Sequence, residues 1–392
     1  MNHPPHPKDL HHRYVLDTYS PSILLTRGEG PWLWDEDERA YLDFGSGISV
    51  CNLGHCHPAV TKAIREQADR LLHVSNLFYN ELQPRLAHEI STRSFGGKLF
   101  FCNSGAEANE GLIKFARRWG SEDGRYEIIT MENSFHGRSL ATLAATGQKK
   151  FRKGFQPDLE GFRHVPFNDI DAVQSAITEK TVAVLVEPVQ GEGGVYPATN
   201  SFMKGLRELC DQHNLLLLMD EVQSGMGRTG KHFAYQHYDI TPDGMALAKS
   251  LGNGVPIGAF EVANKYHEVL PAGSHASTFG GNLLACAASL AVFETFDQKN
   301  VLDHCCKIGE RLQKRLKDMR EEGAPIKDIR GMGLMWGADL DVPVKDVLAE
   351  ARTEGLILLA AGENTLRLMP PLTISTSELD EGIERLKLAF TE

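Results

Sequence analysis

Six short apolar runs between about residue 98 and residue 262 constrain the fold of this chain more than any other feature. They read "KLFFC", "YEIIT", "TVAVLV", "LLLLM", "MALA" and "IGAFEV", and each is strand-sized. Among them lie "EANEGLIKFARRWG", "DIDAVQSAIT" and "SFMKGLRELCDQHN", with apolar residues three and four apart, the spacing of one helix face. Strands alternating with helices predict an α/β fold, a mostly parallel sheet wrapped by helices.

From about residue 283 the pattern changes to long helices, "LLACAASLAVFETF" and "VLDHCCKIGERLQKRLKDMREEG". Strand-like "GLMWGADL" and "LRLMP" follow, then a last helix, "SELDEGIERLKLAF". The expected organisation is a large domain over residues 51–282 and a smaller α+β C-terminal domain over 283–392. Residues 1–50 hold two strand-like pieces, "ILLTRGEG" and "PWLWDEDERAYLDF", too little to stand alone, and are expected to pack on the smaller domain. No internal repeat, low-complexity tract or long linker interrupts the chain.

Composition narrows the partners. The 392 residues carry a formal charge of −11 with no block of Lys or Arg to offset it, which argues against nucleic acid or an anionic membrane and for small solutes. The longest aliphatic runs, such as residues 215–219, are too short to cross a bilayer, and "MNHPPHPKDLHHRY" lacks the apolar stretch of a signal peptide. A cytoplasmic protein is expected. Seven cysteines without repeated spacing fit neither a disulfide framework nor a zinc ribbon, and "GHCHP" lacks a partner pair at ligand spacing, so no metal is expected.

In open α/β sheets ligands bind outside the carboxyl ends of the strands. There the chain places Glu187 after "TVAVLV", Asp220 and Glu221 after "LLLLM", and Lys249 after "MALA". After "KLFFC" comes "NSGAEANE", in which Ser104 and Glu107 have capping-box spacing and Gly105 lets backbone approach a ligand. Such a helix start presents free N–H groups to an anion. By contrast "GMGRTGKH" imitates two nucleotide fingerprints but has His232 where a hydroxyl is needed. Five residues, "DEVQS", also separate its first glycine from the strand. A lysine, a buried acid and a phosphate-ready helix start suit pyridoxal 5'-phosphate. Its aldehyde forms a Schiff base with a lysine amine, its ring nitrogen must stay protonated, and its phosphate needs an anion cradle.

The ordered motifs "LDFGSGI", "NLGHCHP", "FFCNSGAEANE", "SFHGRS", "EPVQGEGG", "LLMDEVQSGMGRTG", "LAKSLGNGVPIGA", "STFGGN" and "LRLMPPL" span the chain from about Tyr19 to the last helix. Together they resemble the class III, ω-amino-acid group of pyridoxal phosphate aminotransferases, of fold type I, and most closely the members that act on N2-acetylornithine in arginine biosynthesis. The resemblance implies transfer of the terminal amine of N2-acetylornithine to 2-oxoglutarate by a ping-pong route. Succinylornithine, ornithine and 4-aminobutyrate are the alternative donors. A same-fold aminomutase, a nucleotide-binding protein using residues 225–231 and a non-catalytic binding protein are the rival readings.

Residue by residue, the resemblance implies that Lys249 carries the cofactor and shuttles a proton, and that Asp220 pairs with the ring nitrogen. Val222 and Phe135 would cover the two ring faces, and Gln223 would bond the ring oxygen. Ser104, Gly105 and Ala106 would hold the phosphate, with His136 and Glu187 also in the cofactor shell. Thr278 would reach the phosphate of a neighbouring subunit, which implies a homodimer with shared active sites. Arg138, with Ser277 beside it, would take the donor's distant α-carboxylate, and Tyr19 would line the same pocket. Arg367 would take the near carboxylate of 2-oxoglutarate, a bidentate task suited to a guanidinium. Glu192 would neutralise Arg367 while the amine donor is bound and then swing away. Ile48 stands where ornithine δ-aminotransferases usually carry Tyr, which leaves room for an acylated α-amino group.

Overall fold

The computed structural model describes residues 5–390. Its centre is a seven-stranded sheet in the order Lys98–Cys102, Gly258–Val262, Gly244–Leu247, Leu216–Asp220, Thr181–Val186, Glu127–Met131 and Phe162–Val165. Only Gly258–Val262 runs antiparallel to its neighbours; the other pairings, Leu216–Asp220 with Thr181–Val186 among them, are parallel. All six apolar runs become strands. The edge strand Phe162–Val165 went unread, because "FRHV" is short and half polar.

The central strands are continuous apolar runs because both sheet faces are covered. Val184, Val186, Leu217 and Met219 point into one core, and Ala183, Leu185, Leu216 and Leu218 into another across the sheet. Helix Gly105–Trp119 packs on one face against Gly258–Val262 and Gly244–Leu247, and Asn200–Gln212 on the other against Leu216–Asp220. Burying one such Leu or Val contributes about 1.5–3 kcal/mol. The sheet is therefore a stiff support for whatever its carboxyl rim carries.

A second sheet, in the order Ile326–Met332, Met335–Leu340, Thr365–Leu368 and Leu359–Ala361, is antiparallel throughout. The N-terminal segment supplies three strands rather than two pieces, because "PWLWDEDERAYLDF" turns at Glu36 and Asp37 into Trp32–Asp35 and Ala40–Asp43. Its sheet is completed from the far end of the chain, where Leu356–Ile357 pairs in parallel with Ala40–Asp43. Helix Leu283–Gln298 lies against Pro58–Ala68 and Leu82–Arg93. Helix Thr376–Leu388 opens with a complete capping box between Ser375 and Glu378.

Candidate active site

A cleft of about 420 Å³ opens at the carboxyl rim of the large sheet, a volume that suits a small ligand. Successive strands deliver Ser104, Gly105 and Ala106, then Glu187, Asp220 and Lys249 to it. Phe135, His136, Arg138, Glu192, Val222 and Gln223 also line it. Arg367 joins from the second sheet through its bonds to Glu192 and Gln223.

Asp220 ends its strand almost fully buried. Its Oδ2 accepts from His136 Nδ1 and from Asn109 Nδ2, each at 2.7 Å, and its Oδ1 accepts the Val222 N–H at 3.0 Å. Asn109 also donates to the His136 carbonyl at 2.9 Å, so both partners of the carboxylate are themselves held. Asn109 escaped the sequence reading. Its signal was legible, since it shares a helix face with Gly105, Ala108 and Leu112, and a lone amide on a buried face needs a polar partner.

Lys249 follows its strand with φ of 49°, a left-handed conformation that costs a non-glycine residue energy and clusters at functional positions. Burial pushes its amine below the ordinary lysine value, with Glu192 opposing that shift and Arg367 adding to it. The neutral amine, the form that accepts a proton, is thereby favoured. Glu187 is driven the other way: burial and then the nearby Asp220 charge hold its carboxyl well above the usual range. Its Oε2 accepts the Phe135 N–H at 3.0 Å and fixes the loop that carries Phe135 and His136.

The helix start is an anion cradle. Ser104 caps Gly105–Trp119 by accepting the Glu107 N–H, while the N–H groups of the first helical residues have no intrahelical acceptor. Glu107 does not return to Ser104 as a full capping box requires. Its Oε2 accepts the Asn103 N–H at 2.7 Å instead, one residue earlier. A Cβ on Gly105 would lie 2.7 Å from Val222 Cγ1, so only glycine lets the cradle close against the valine that walls the cleft. An anionic group at this helix start, with Asp220 and Lys249 beyond it, is the set of contacts that pyridoxal phosphate requires.

On the opposite wall Arg367 Nη1 donates to Glu192 Oε1 at 2.6 Å and to Gln223 Oε1 at 3.1 Å, and Gln223 Nε2 reaches Glu192 at 3.2 Å. The Arg367 Nε is buried without a partner. Arg367 and Lys249 together hold Glu192 below the usual carboxylate range against the burial that raises it. Gln223 lines the cleft and bridges this ion pair.

Arg138 is exposed at the mouth, its guanidinium 4.2 Å from the Phe151 ring centroid and 5.6 Å from that of Phe135. Ile48 sits near Val50, which lines the cleft, and is 41% exposed. Three predicted residues lie elsewhere. Tyr19 is 82% exposed on the N-terminal segment. Ser277 and Thr278 line a neighbouring hollow with Glu107 and His275, where Ser277 Oγ accepts from Gly280 N and Asn103 Nδ2. Within one chain, then, Ser277 is not brought beside Arg138.

The glycine loop is not a nucleotide cradle. Residues 225–230 are all buried, and Arg228 at their centre bonds four groups inside the protein. Glu221 acts as its strut, accepting the Tyr235 N–H and the Ser224 hydroxyl at 2.7 Å each. In "GHCHP", His55 pairs with Asp43 at 2.8 Å. Among the described residues no group of three His, Cys, Asp or Glu side chains is placed to hold a metal ion.

Residues 15–390 match the class-III aminotransferase family, and the chain belongs to that family. It is 47% identical to the acetylornithine aminotransferase of Caldanaerobacter subterraneus over 97% of this chain and 98% of that protein. It is 46% identical to the succinylornithine transaminase/acetylornithine aminotransferase of Pseudomonas aeruginosa over 97% and 96%. Among solved structures, the N-acetylornithine aminotransferase of Stenotrophomonas maltophilia superposes with a TM-score of 0.84 at 38% identity, covering 97% of each chain. The ornithine aminotransferase of Toxoplasma gondii gives 0.93 at 31%, covering 98% of this chain and 94% of that one. The protein is a fold type I aminotransferase whose cofactor is pyridoxal phosphate.

Proposed function

We propose that the chain transfers the terminal amine of N2-acetylornithine to 2-oxoglutarate, giving N-acetylglutamate 5-semialdehyde and glutamate, the transamination used in arginine biosynthesis. One observation carries the reading: Arg138 lies exposed in the lining of the cleft, whereas a second arginine, Arg367, is buried behind the lining residue Glu192 and ion-paired to it at 2.6 Å. A donor that reacts through its terminal amine has no carboxylate near the reacting carbon, so the inner cation must be neutralised. An oxoacid that reacts at its α-carbon brings one, and needs that cation free.

Pyridoxal phosphate, when bound, supplies an electrophilic carbon that exchanges amines and a protonated ring that draws electrons from the substrate carbon. The first residues of helix Gly105–Trp119 would hold its phosphate, and Val222 and Phe135, which line the cleft, would hold its ring. Asp220, fixed by His136 and Asn109, would pair with the ring nitrogen and hold its proton. Lys249 would carry the cofactor, and its Nζ would hold and move the proton of the substrate carbon, a role its burial-lowered basicity suits. Arg138 meets the donor's α-carboxylate at the mouth, and Arg367 takes a carboxylate of 2-oxoglutarate once Glu192 withdraws. Ile48, aliphatic and half exposed, leaves space for the acyl group.

A homodimer completes the site. Leu77, Phe78 and Tyr79 are 85%, 69% and 106% exposed and Phe279 61%, and Asn76 bonds the Ser277 and Gly280 carbonyls and ties the two segments together. Such an apolar patch favours a partner surface. Thr278 and Ser277 belong to it, which suits their service to the neighbouring subunit's cleft. A cytoplasmic setting is favoured by seven free thiols, and among the described residues no helix is long and apolar enough to cross a membrane.

The test is kcat/KM for N2-acetylornithine, N2-succinylornithine, ornithine and 4-aminobutyrate with 2-oxoglutarate as acceptor. The acylated donors should lead ornithine and 4-aminobutyrate by at least about tenfold. Equal or better turnover of either unacylated donor would overturn the assignment.

A further inference from the structure

The loop "GMGRTG" is left without a part in the chemistry, yet among the described residues it holds the largest fully buried side chain, that of Arg228. Arg228 is fully buried, and among the described residues it meets no carboxylate at ion-pair distance. Burial pushes its guanidinium down to about 10. A buried, unpaired cation is costly unless every donor finds an acceptor. Here Nε donates to Ser49 Oγ at 3.1 Å, Nη1 to the Leu334 and Pro370 carbonyls at 2.9 and 2.5 Å, and Nη2 to Asn52 Oδ1.

Two of these acceptors, Ser49 and Pro370, lie on the segments that carry Ile48 and Arg367. Pro370 lies just past strand Thr365–Leu368, which bears Arg367. Ser49 ends a turn in which Ser46, Gly47, Ile48 and Ser49 all have left-handed φ, of 48°, 61°, 68° and 59°. Three of the four are not glycine, and Ile48 is β-branched, so the turn persists only if its surroundings impose it. Asp43 Oδ1 accepts the N–H groups of Gly45 and Ser46, Ser46 Oγ donates to the Met369 carbonyl, and Ser49 Oγ lies 3.3 Å from the Gln223 carbonyl while it takes the Arg228 bond. Ile48, Gln223 and Arg367 thus stand on three segments with one guanidinium at their junction.

We propose that Arg228 is a positioning residue that locks the left-handed 46–49 turn and the Arg367 strand into one frame, and so sets the discrimination between acylated and free ω-amine donors. The proposal rests on the donor assignment given under Proposed function. A lysine cannot span these acceptors, since its single ammonium lacks the planar fork.

The test compares Arg228→Lys, Ser49→Ala and the double variant in the cofactor-loaded enzyme. The ratio of kcat/KM for N2-acetylornithine to that for ornithine, taken on one preparation, cancels the active fraction and is untouched by simple loss of stability. Each single variant should lower that ratio by about tenfold and weaken glutarate binding, followed by calorimetry, several-fold. The double variant should fall short of the product of the two. A ratio that stays at the wild-type value while both donors fall together would overturn the proposal, whatever the unfolding temperature does. Should Arg228→Lys fail to fold, Ser49→Ala alone decides on the same readouts. A wild-type enzyme that prefers ornithine would sink the donor assignment, while a displaced ratio in the variants would still uphold the positioning role.

Discussion

Two carboxylates face the same cleft and are held in opposite ways. Asp220 ends a central strand, accepts three hydrogen bonds, and its two side-chain partners are themselves anchored. Glu192 lies on the loop "GEGG", with its carboxylate held by Arg367 and Gln223 and its side chain 24% exposed. A Cβ on Gly191 would come within 1.9 Å of Gln223 Oε1, so position 191 must be bare of a side chain for the loop to lie against the ion pair. On the proposed function, the difference separates a charge that must not move from one that must: the ring proton would need a fixed partner in both half-reactions, whereas Arg367 would need a partner in one only.

The largest effect follows from the fixed acid. Asp220→Asn should slow turnover by about 10²–10³-fold, since a neutral amide cannot stabilise the ring proton. Rapid-mixing measurements should show the donor and oxoacid half-reactions slowed by a common factor; slowing confined to one half would break the comparison. The neighbouring Glu221 sharpens it, because it is equally buried but props the glycine loop rather than facing the cleft. Burial raises its carboxyl from 4.5 to about 7, against the hydrogen bonds from Ser224 and Tyr235. A folded-state value raised above the unfolded one gives stability that is present below about pH 4.5 and lost as pH rises through about 7. Relative to Glu221→Gln, the wild type should therefore lose up to about 3 kcal/mol of unfolding free energy between pH 4.5 and pH 8. Denaturant melts at several pH values would read this, and turnover at fixed pH should change little.

The contrast also decides what was legible in the sequence. Glu187, Asp220 and Lys249 could be read because strand periodicity places strand ends, and an open parallel sheet gathers them on one rim. Ser104 and Gly105 could be read because a helix start has a chemical signature, whereas Ala106 came from the resemblance. Residues whose placement depends on the meeting of distant segments could not be derived that way. Arg367 enters from the second sheet, Gln223 bridges it to Glu192, and Ser277 and Thr278 sit in a separate hollow beside an exposed apolar patch. Their places came from family resemblance and not from local pattern. The left-handed turn at residues 46–49 has no sequence signature beyond one glycine, because contacts from Asp43, Met369 and Arg228 impose it.

On the proposed function, one cleft serves two substrates because Glu192 masks or frees Arg367. Glu192→Gln tests it most directly, since the amide keeps the size of the side chain and removes only its charge. With Arg367 uncompensated, the rate of amine transfer from N2-acetylornithine in single turnover should fall about tenfold, and the reverse reaction with glutamate should hold or rise. The ratio of the two rates should therefore shift by at least about tenfold towards the α-amino acid. A Glu192→Gln enzyme whose two half-reactions fall by the same factor, leaving that ratio where the wild type has it, would contradict the account.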